Sequence, residues 1–296
     1  MGRMKRETFS WLCFWALAGG VLFAPVAAAA QPTEIAKLRQ QIEILRQEVL
    51  LLQSLLTNMQ TRQPISAASY AAVNLSDNSV LLEKNSPQAY PIASVAKLMT
   101  AVIARENIAP SQTITLTEPM LKPLGQSPSL FLGLQVSVEN LLKAALIQSA
   151  NDAAEALAYS MGKETFLDLM NQKARELSMT QTVFYDVHGL NPANRSTASD
   201  LVKFVAYIYE KHTEILGITR DNNFWLPDAT GRFLKFQNVN NFYPLSYFLG
   251  GKTGYLLEAK QTLAGVFQIQ GKPIALVVLS SENRQADVFA ILSQLK

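Results

Sequence analysis

Cysteine and histidine are almost missing from this chain. Of 296 residues, one is cysteine (Cys13) and two are histidine (His188 and His212). Cys13 lies in an apolar N-terminal run, so no disulfide framework supports the fold, and a Cys/His zinc site lacks its ligands. The sequence therefore predicts no metal and no cofactor. A large excess of either charge is missing too: 26 basic residues stand against 23 acidic ones. That near balance argues against a nucleic-acid partner. Glycine is absent between Pro32 and Pro64, which leaves that stretch free to be helical.

The N-terminus reads as an export signal. Arg3, Lys5 and Arg6 precede the nearly uncharged run Trp11–Val26, and small residues Ala27–Ala30 follow. A basic region, an apolar core and small residues before Gln31 predict a signal peptide over 1–30, placing the rest in the periplasm or extracytoplasmic envelope. Phe9–Ala30 is also long enough to span a bilayer, so an uncleaved anchor stays open, and with it membrane attachment. Removal of the leader takes away three basic residues and one acidic one, leaving a net charge of +1.

Residues 31–63 carry a heptad pattern. Apolar residues fall at Ile35, Leu38, Ile42, Leu45, Val49, Leu52, Leu56 and Met59, in alternating steps of three and four. Ile35, Ile42, Val49 and Leu56 occupy a, and Leu38, Leu45, Leu52 and Met59 occupy d. Mostly β-branched a with Leu-rich d predicts a parallel coiled-coil homodimer through 35–59, about 37 Å long. Leu50, Leu51 and Leu55 widen the stripe, so a single helix packed on its own body also stays open.

From 64 to 296 the pattern is that of one folded domain. Ser69–Leu75 and Val80–Glu83 flank a turn at Ser76–Asn78 and read as a hairpin. A helix follows from Ser94 to Arg105, and Thr113–Thr117 alternates as a short strand. Ser137 caps a buried helix, Val138–Gln148, which Ser149–Asp152 interrupts and Ala153–Met161 resumes. Lys163–Ser178 and Thr197–His212 are further helices. Tyr247–Tyr255, Thr262–Gln270 and Pro273–Ser280 read as strands, and Glu282–Lys296 as a closing amphipathic helix. Strands at both ends with helices between predict an α+β fold: a five-stranded antiparallel sheet, flanking terminal helices and an inserted helical lobe, preceded by the coiled-coil helix. The junction of sheet and lobe is the natural cleft.

Three short motifs converge on that cleft. Ser94 is followed by Lys97, one helical turn on, so Oγ and Nζ can meet. The triplet Ser149-Ala150-Asn151 interrupts a buried helix. Lys252-Thr253-Gly254 occurs once in the chain, on a predicted strand. Ser-x-x-Lys alone is common, and recurs at Ser160/Lys163 and Ser293/Lys296; the order of the three motifs is what is specific.

With these motifs the chain resembles the low-molecular-mass penicillin-binding proteins, serine D-alanyl-D-alanine carboxypeptidases and endopeptidases of the β-lactamase/transpeptidase-like group. The resemblance runs over about 66–296 and includes the flanks Pro91-Ile92-Ala93-Ser94, Ser149–Ala154, His188-Gly189-Leu190 and Ser196–Asp200. It implies an acyl-enzyme on Ser94, peptidoglycan stem peptides as substrates and β-lactams as inhibitors. It also places the oxyanion hole at the backbone N–H groups of Ser94 and Tyr255.

The residue types suit those roles. Lys97 must be neutral to take the Ser94 proton, and burial beside a second ammonium, Lys252, lowers its affinity for a proton. Ser149 between the two lysines can relay a proton to the leaving amine. The Asn151 amide can orient Lys97 through its oxygen and hold a substrate carbonyl through its nitrogen. Lys252 and Thr253 suit a terminal carboxylate, and Gly254 leaves room for an extended peptide. His188 reads equally as a structural or a catalytic residue.

Two positions depart from the family pattern: Leu256 stands where threonine is usual and Lys260 where glycine is. They change one wall of the cleft and leave the acylation machinery intact. Two rival readings stay open: a catalytically degenerate peptidoglycan-binding scaffold that oligomerises through the coiled coil, and a β-lactamase, although no Glu-x-x-Leu-Asn sequence follows Asn151.

Overall fold

A computed structural model describes residues 32–61, 64–125, 130–227 and 233–295. The predicted leader, 1–30, lies outside the described residues. By its contacts the chain divides into residues 1–41 and 42–296, and a continuous helix, α1 (Pro32–Thr61), crosses that boundary. Of its heptad positions, Leu38, Ile42, Leu45, Val49 and Leu52 each keep 45–61% of their surface. Leu51 instead is buried in a cluster with Ala67, Phe242, Leu245 and Phe248. Within residues 42–53, therefore, Leu51 packs on the body, whereas Ile42, Leu45, Val49 and Leu52 stay exposed.

The body begins with the expected hairpin, β1 (Ser69–Asn74) and β2 (Val80–Lys84). Strand β3 (Ala89–Pro91) leads into a 3-10 turn, Ala93–Ala96, and then helix α2 (Lys97–Asn107). The lobe continues with β4 (Thr113–Thr115), β5 (Gln135–Ser137), α3 (Val138–Lys143), α4 (Asn151–Tyr159) and α5 (Lys163–Glu176). Then come β6 (Arg195–Thr197), α6 (Ala198–Lys211) and α7 (Thr213–Ile218). The stretch that sequence patterning left unassigned forms a separate hairpin, β7 (Asn223–Pro227) and β8 (Phe233–Gln237). Strands β9 (Phe248–Leu256), β10 (Lys260–Ile269) and β11 (Lys272–Ser281) and helix α8 (Arg284–Ser293) close the fold.

The main sheet has the order β2-β1-β11-β10-β9 and is antiparallel throughout. Both faces are covered, which explains the unbroken apolar run in β11. Ala275, Val277 and Leu279 face the lobe, while Ile274, Leu276 and Val278 face the second cluster with Phe289 and Leu292 of α8. Helix α2 is buried from Lys97 to Ala104, because it runs between sheet and lobe. Among the described residues strand β9 pairs only with β10, so its outer edge is left to the cleft.

The terminal elements are tied by one carboxylate. Asp287, buried on α8, accepts from the backbone N–H and the hydroxyl of Ser66, both at 2.7 Å, and from Ser281. A hydrogen bond to a buried charge contributes about 1.5–3 kcal/mol. Asp287→Ala is expected to lower stability by about 3 kcal/mol, a fall of roughly 6–12 °C in Tm, read by thermal unfolding.

Candidate active site

Ser94 sits in the 3-10 turn rather than in the first turn of an α-helix, and the turn is held from both sides. Ile92 N–H donates to Asn194 O at 3.0 Å, and Thr262 Oγ1 donates to Ile92 O at 3.0 Å. Ala93 is left-handed, with φ +48°. Gly189, at φ +85°, passes so close that a Cβ there would lie 2.0 Å from Ala93 O. Only glycine fits both that backbone conformation and that approach.

Lys97 opens α2 and is wholly buried. Its Nζ has three partners: Ser94 Oγ at 3.0 Å, Asn151 Oδ1 at 2.6 Å and His188 O at 2.6 Å. A neutral amine offers two N–H groups and one lone pair. Two carbonyl oxygens and one hydroxyl donor match that set. Burial pushes the Lys97 pKa down to about 7, against the pull of Asp186 and Asp152. The repulsion from Lys252 expected from the sequence acts between these same two buried amines. The Lys252 ammonium is depressed in turn, first by its own burial and then by Lys97 and Arg284.

Each partner of Lys97 is itself fixed. α3 ends in a wider π turn, Ala144–Gln148, and Ser149 follows at φ +62° before α4 starts at Asn151. This break in the helix aims Asn151 inward. Its Nδ2 donates to Leu124 O at 2.6 Å, so one of the two amide N–H groups assigned to a substrate carbonyl is already used. His188 contributes its backbone carbonyl. The loop that presents it wraps Asp186, which accepts from His188 N–H at 3.1 Å, Asn191 N–H at 2.6 Å and Asn194 Nδ2 at 2.7 Å. Burial alone would raise the Asp186 pKa, but His188 and the backbone N–H groups of Asn191 and Gly189 hold it well below the usual carboxylate range. The His188 ring lies between Asp186, 3.3 Å away, and Glu155, 3.5 Å away.

A cavity of about 260 Å³ opens over these groups, lined by Ser94, Ser149, Val239, Lys252–Tyr255 and Arg284. Every predicted site residue except the buried pair Lys97 and Asn151 lines it. Ser149 makes no hydrogen bond to either lysine among the described residues. Gly254 departs from its expected role: a Cβ there would meet Thr262 Oγ1 at 2.6 Å and Ser94 N at 2.8 Å. Its missing side chain therefore admits the Ser94 turn, not a bound peptide. Lys260 keeps the left-handed conformation expected of the family glycine, with φ +52°, and pairs with Glu282.

Sequence reasoning missed Asp186, Glu155 and Arg284. Arg284 reaches the cavity from the start of α8. Its Nη1 donates to Gly254 O at 2.9 Å and Thr262 O at 3.1 Å, and its Nε is buried without a partner among the described residues. Burial lowers its pKa to about 10. No local pattern marks an arginine at a helix start as part of a site. The sequence-adjacent charges Asp186 and His188 were visible, but not that the backbone carbonyl would be the working atom.

The arrangement is a serine–lysine site on the edge strand of an α+β fold. Comparison with known proteins agrees with this. The family model for D-alanyl-D-alanine carboxypeptidase matches residues 56–283, and the chain belongs to that family. A D-alanyl-D-alanine endopeptidase of Haemophilus influenzae is 33% identical over 223 residues, 73% of this chain and 76% of the relative. One from Escherichia coli is 32% identical over 246 residues, 78% of this chain and 76% of the relative. The solved structure of a D-alanyl-D-alanine carboxypeptidase from Mycobacterium tuberculosis superposes with a TM-score of 0.73 at 23% identity. It covers 78% of this chain and 92% of that one, and it shares the fold.

Gly189→Ala is expected to displace the Ala93–Ser94 turn, lowering the β-lactam acylation rate at least about 100-fold and stability by about 2 kcal/mol or more. Acylation kinetics and thermal unfolding on the same sample measure both.

Proposed function

We propose that Ser94 forms the acyl-enzyme of a serine DD-peptidase that cuts after D-alanine in the stem peptides of peptidoglycan. The observation that carries this reading is the buried Lys97 within 3.0 Å of Ser94 Oγ. Serine DD-peptidase activity is that of the family. Ser94 Oγ attacks the carbonyl carbon of the D-alanine, and its proton passes to Lys97 Nζ. The developing oxyanion faces the backbone N–H groups of Ser94 and Tyr255. The C–N bond then breaks, and the amine leaves with a proton relayed through Ser149. Water releases the acyl group and restores Ser94. Lys252, Thr253 and Arg284 suit a carboxylate beyond the scissile bond.

The leaving amine is a single D-alanine in a carboxypeptidase and a cross-linked peptide in an endopeptidase. The family description carries the first activity and the two relatives the second. Action on peptidoglycan places the enzyme outside the cytoplasm. We assign residues 1–30 to export, 31–63 to self-association and 64–296 to catalysis. The degenerate-scaffold reading is not favoured, since each acylation group is present.

Incubated with a fluorescent penicillin, the chain is expected to gain one covalent adduct by intact mass, and Ser94→Ala none. The acylation rate should fall about tenfold for each pH unit below about 7 and level off above it, since the base is the neutral form of Lys97. An adduct on Ser94→Ala would overturn the assignment.

The exposed heptad row of α1 supports a parallel homodimer through 35–59. Light scattering is expected to give twice the chain mass, and Ile42→Lys with Leu45→Lys the single mass; a monomeric parent chain contradicts the dimer.

A further inference from the structure

The β7–β8 hairpin has two unlike faces. Inside, Phe224 and Phe236 stack with centroids 4.5 Å apart, and Leu226 and Phe236 are buried in the main core. Outside, Trp225 is 53% and Phe233 64% exposed, and Lys235 Nζ lies 5.6 Å from the centre of the Trp225 ring. The fold gains nothing from leaving two large aromatic rings in water on one face.

That outer face runs into the catalytic cavity. Along β8 and beyond it, Phe233, Lys235, Gln237 and Val239 are exposed, while Phe236, Asn238 and Asn240 are buried. The alternation survives the end of the strand because Asn238 N–H donates to Asn222 O at 2.8 Å, continuing the ladder. Val239 is then fixed beside the π turn by its N–H bond to Ile147 O at 3.1 Å, and it lines the cavity that contains Ser94 and Lys252. From Val239 to Phe233 the line covers about 20 Å at the rise of an extended strand.

We infer that the outer face of this hairpin, carried by Trp225 and Phe233 with Lys235 and Gln237 beside them, is a saccharide-binding track that holds the glycan strand of polymeric peptidoglycan. The inference rests on the proposed function, under which the peptide being cut is attached to a polymer of amino sugars. Flat rings bordered by a cation and an amide suit the apolar faces and hydroxyl rims of pyranose rings. A peptide would instead seek main-chain partners along a free strand edge, which the cleft already offers on β9. The track would make the enzyme prefer polymer over small soluble peptides without altering the chemistry at Ser94.

The test uses the full chain and Trp225→Ser/Phe233→Ser, both exposed positions, with two substrates: intact peptidoglycan sacculi and a small soluble D-alanyl-D-alanine peptide. The variant is expected to lose at least tenfold in kcat/KM on sacculi and to stay within twofold on the soluble peptide and in penicillin acylation. Equal activity on sacculi, or an equal loss on both substrates, overturns the track. A parent chain inert to both the soluble peptide and penicillin would instead refute the underlying function, so the two failures are distinguishable. A second readout needs no turnover. Apart from Trp11 and Trp15 in the leader region, Trp225 is the only tryptophan. Its emission should change saturably with a peptide-free β-linked amino-sugar oligosaccharide, and this response should vanish in Trp225→Phe. No response in the parent chain counts against the track and leaves the face to a protein partner.

Discussion

A lysine amine buried from solvent governs the organisation of this protein. Lys97 is buried at the start of a helix that is itself buried as far as Ala104. A charged ammonium there would need compensation that the site does not fully supply. Asp186 and Asp152 favour the charge, burial opposes it more strongly, and the balance leaves a pKa of about 7. The three contacts of Nζ fit the neutral form: two carbonyl oxygens accept, and the Ser94 hydroxyl can donate. As the proposed base, an amine with a pKa of about 7 that is already hydrogen-bonded to Ser94 is placed to take its proton.

Much of the remaining architecture exists to hold those contacts. The sheet supplies an edge strand whose Gly254 lets the Ser94 turn come within van der Waals distance. The lobe supplies Asn151 through a helix broken by a π turn, and His188 through a loop wrapped on Asp186. These parts come from four separate stretches of the chain. They meet because the first two strands and the last three form one sheet, with the lobe inserted between them. The cavity brings Lys252 and Arg284 together with Ser94, the pair proposed to meet a substrate carboxylate.

Much of this was legible in the sequence. The five strands of the main sheet, the helical lobe and the closing helix followed from hydrophobic period and turn residues, which act locally. The three motifs identified Ser94, Lys97, Ser149, Asn151 and Lys252–Tyr255, and the structure brings all of these to one cleft. What escaped was non-local or made by backbone. Asp186 matters because of what its loop presents, and His188 through a carbonyl that every residue has. Arg284 is far from the motifs in sequence. Gly254 was read as making space for a peptide, but in the fold the Ser94 turn fills that space. The β7–β8 hairpin was unreadable because its strands are short and aromatic on both faces, which removes the alternation that marks a half-buried strand.

The central claim is that the Lys97 pKa lies near 7, so that a large share of the amine is neutral at physiological pH. Its most direct test is a titration of the side chain by NMR, with carbon-13 in the lysine ε position and Lys97→Arg used to assign the resonance. The account predicts a midpoint near 7 in the free enzyme, with the amine neutral above it. A midpoint at the ordinary lysine value of about 10.4 would contradict it, since the residue would then carry its charge throughout the working range and could not accept the Ser94 proton.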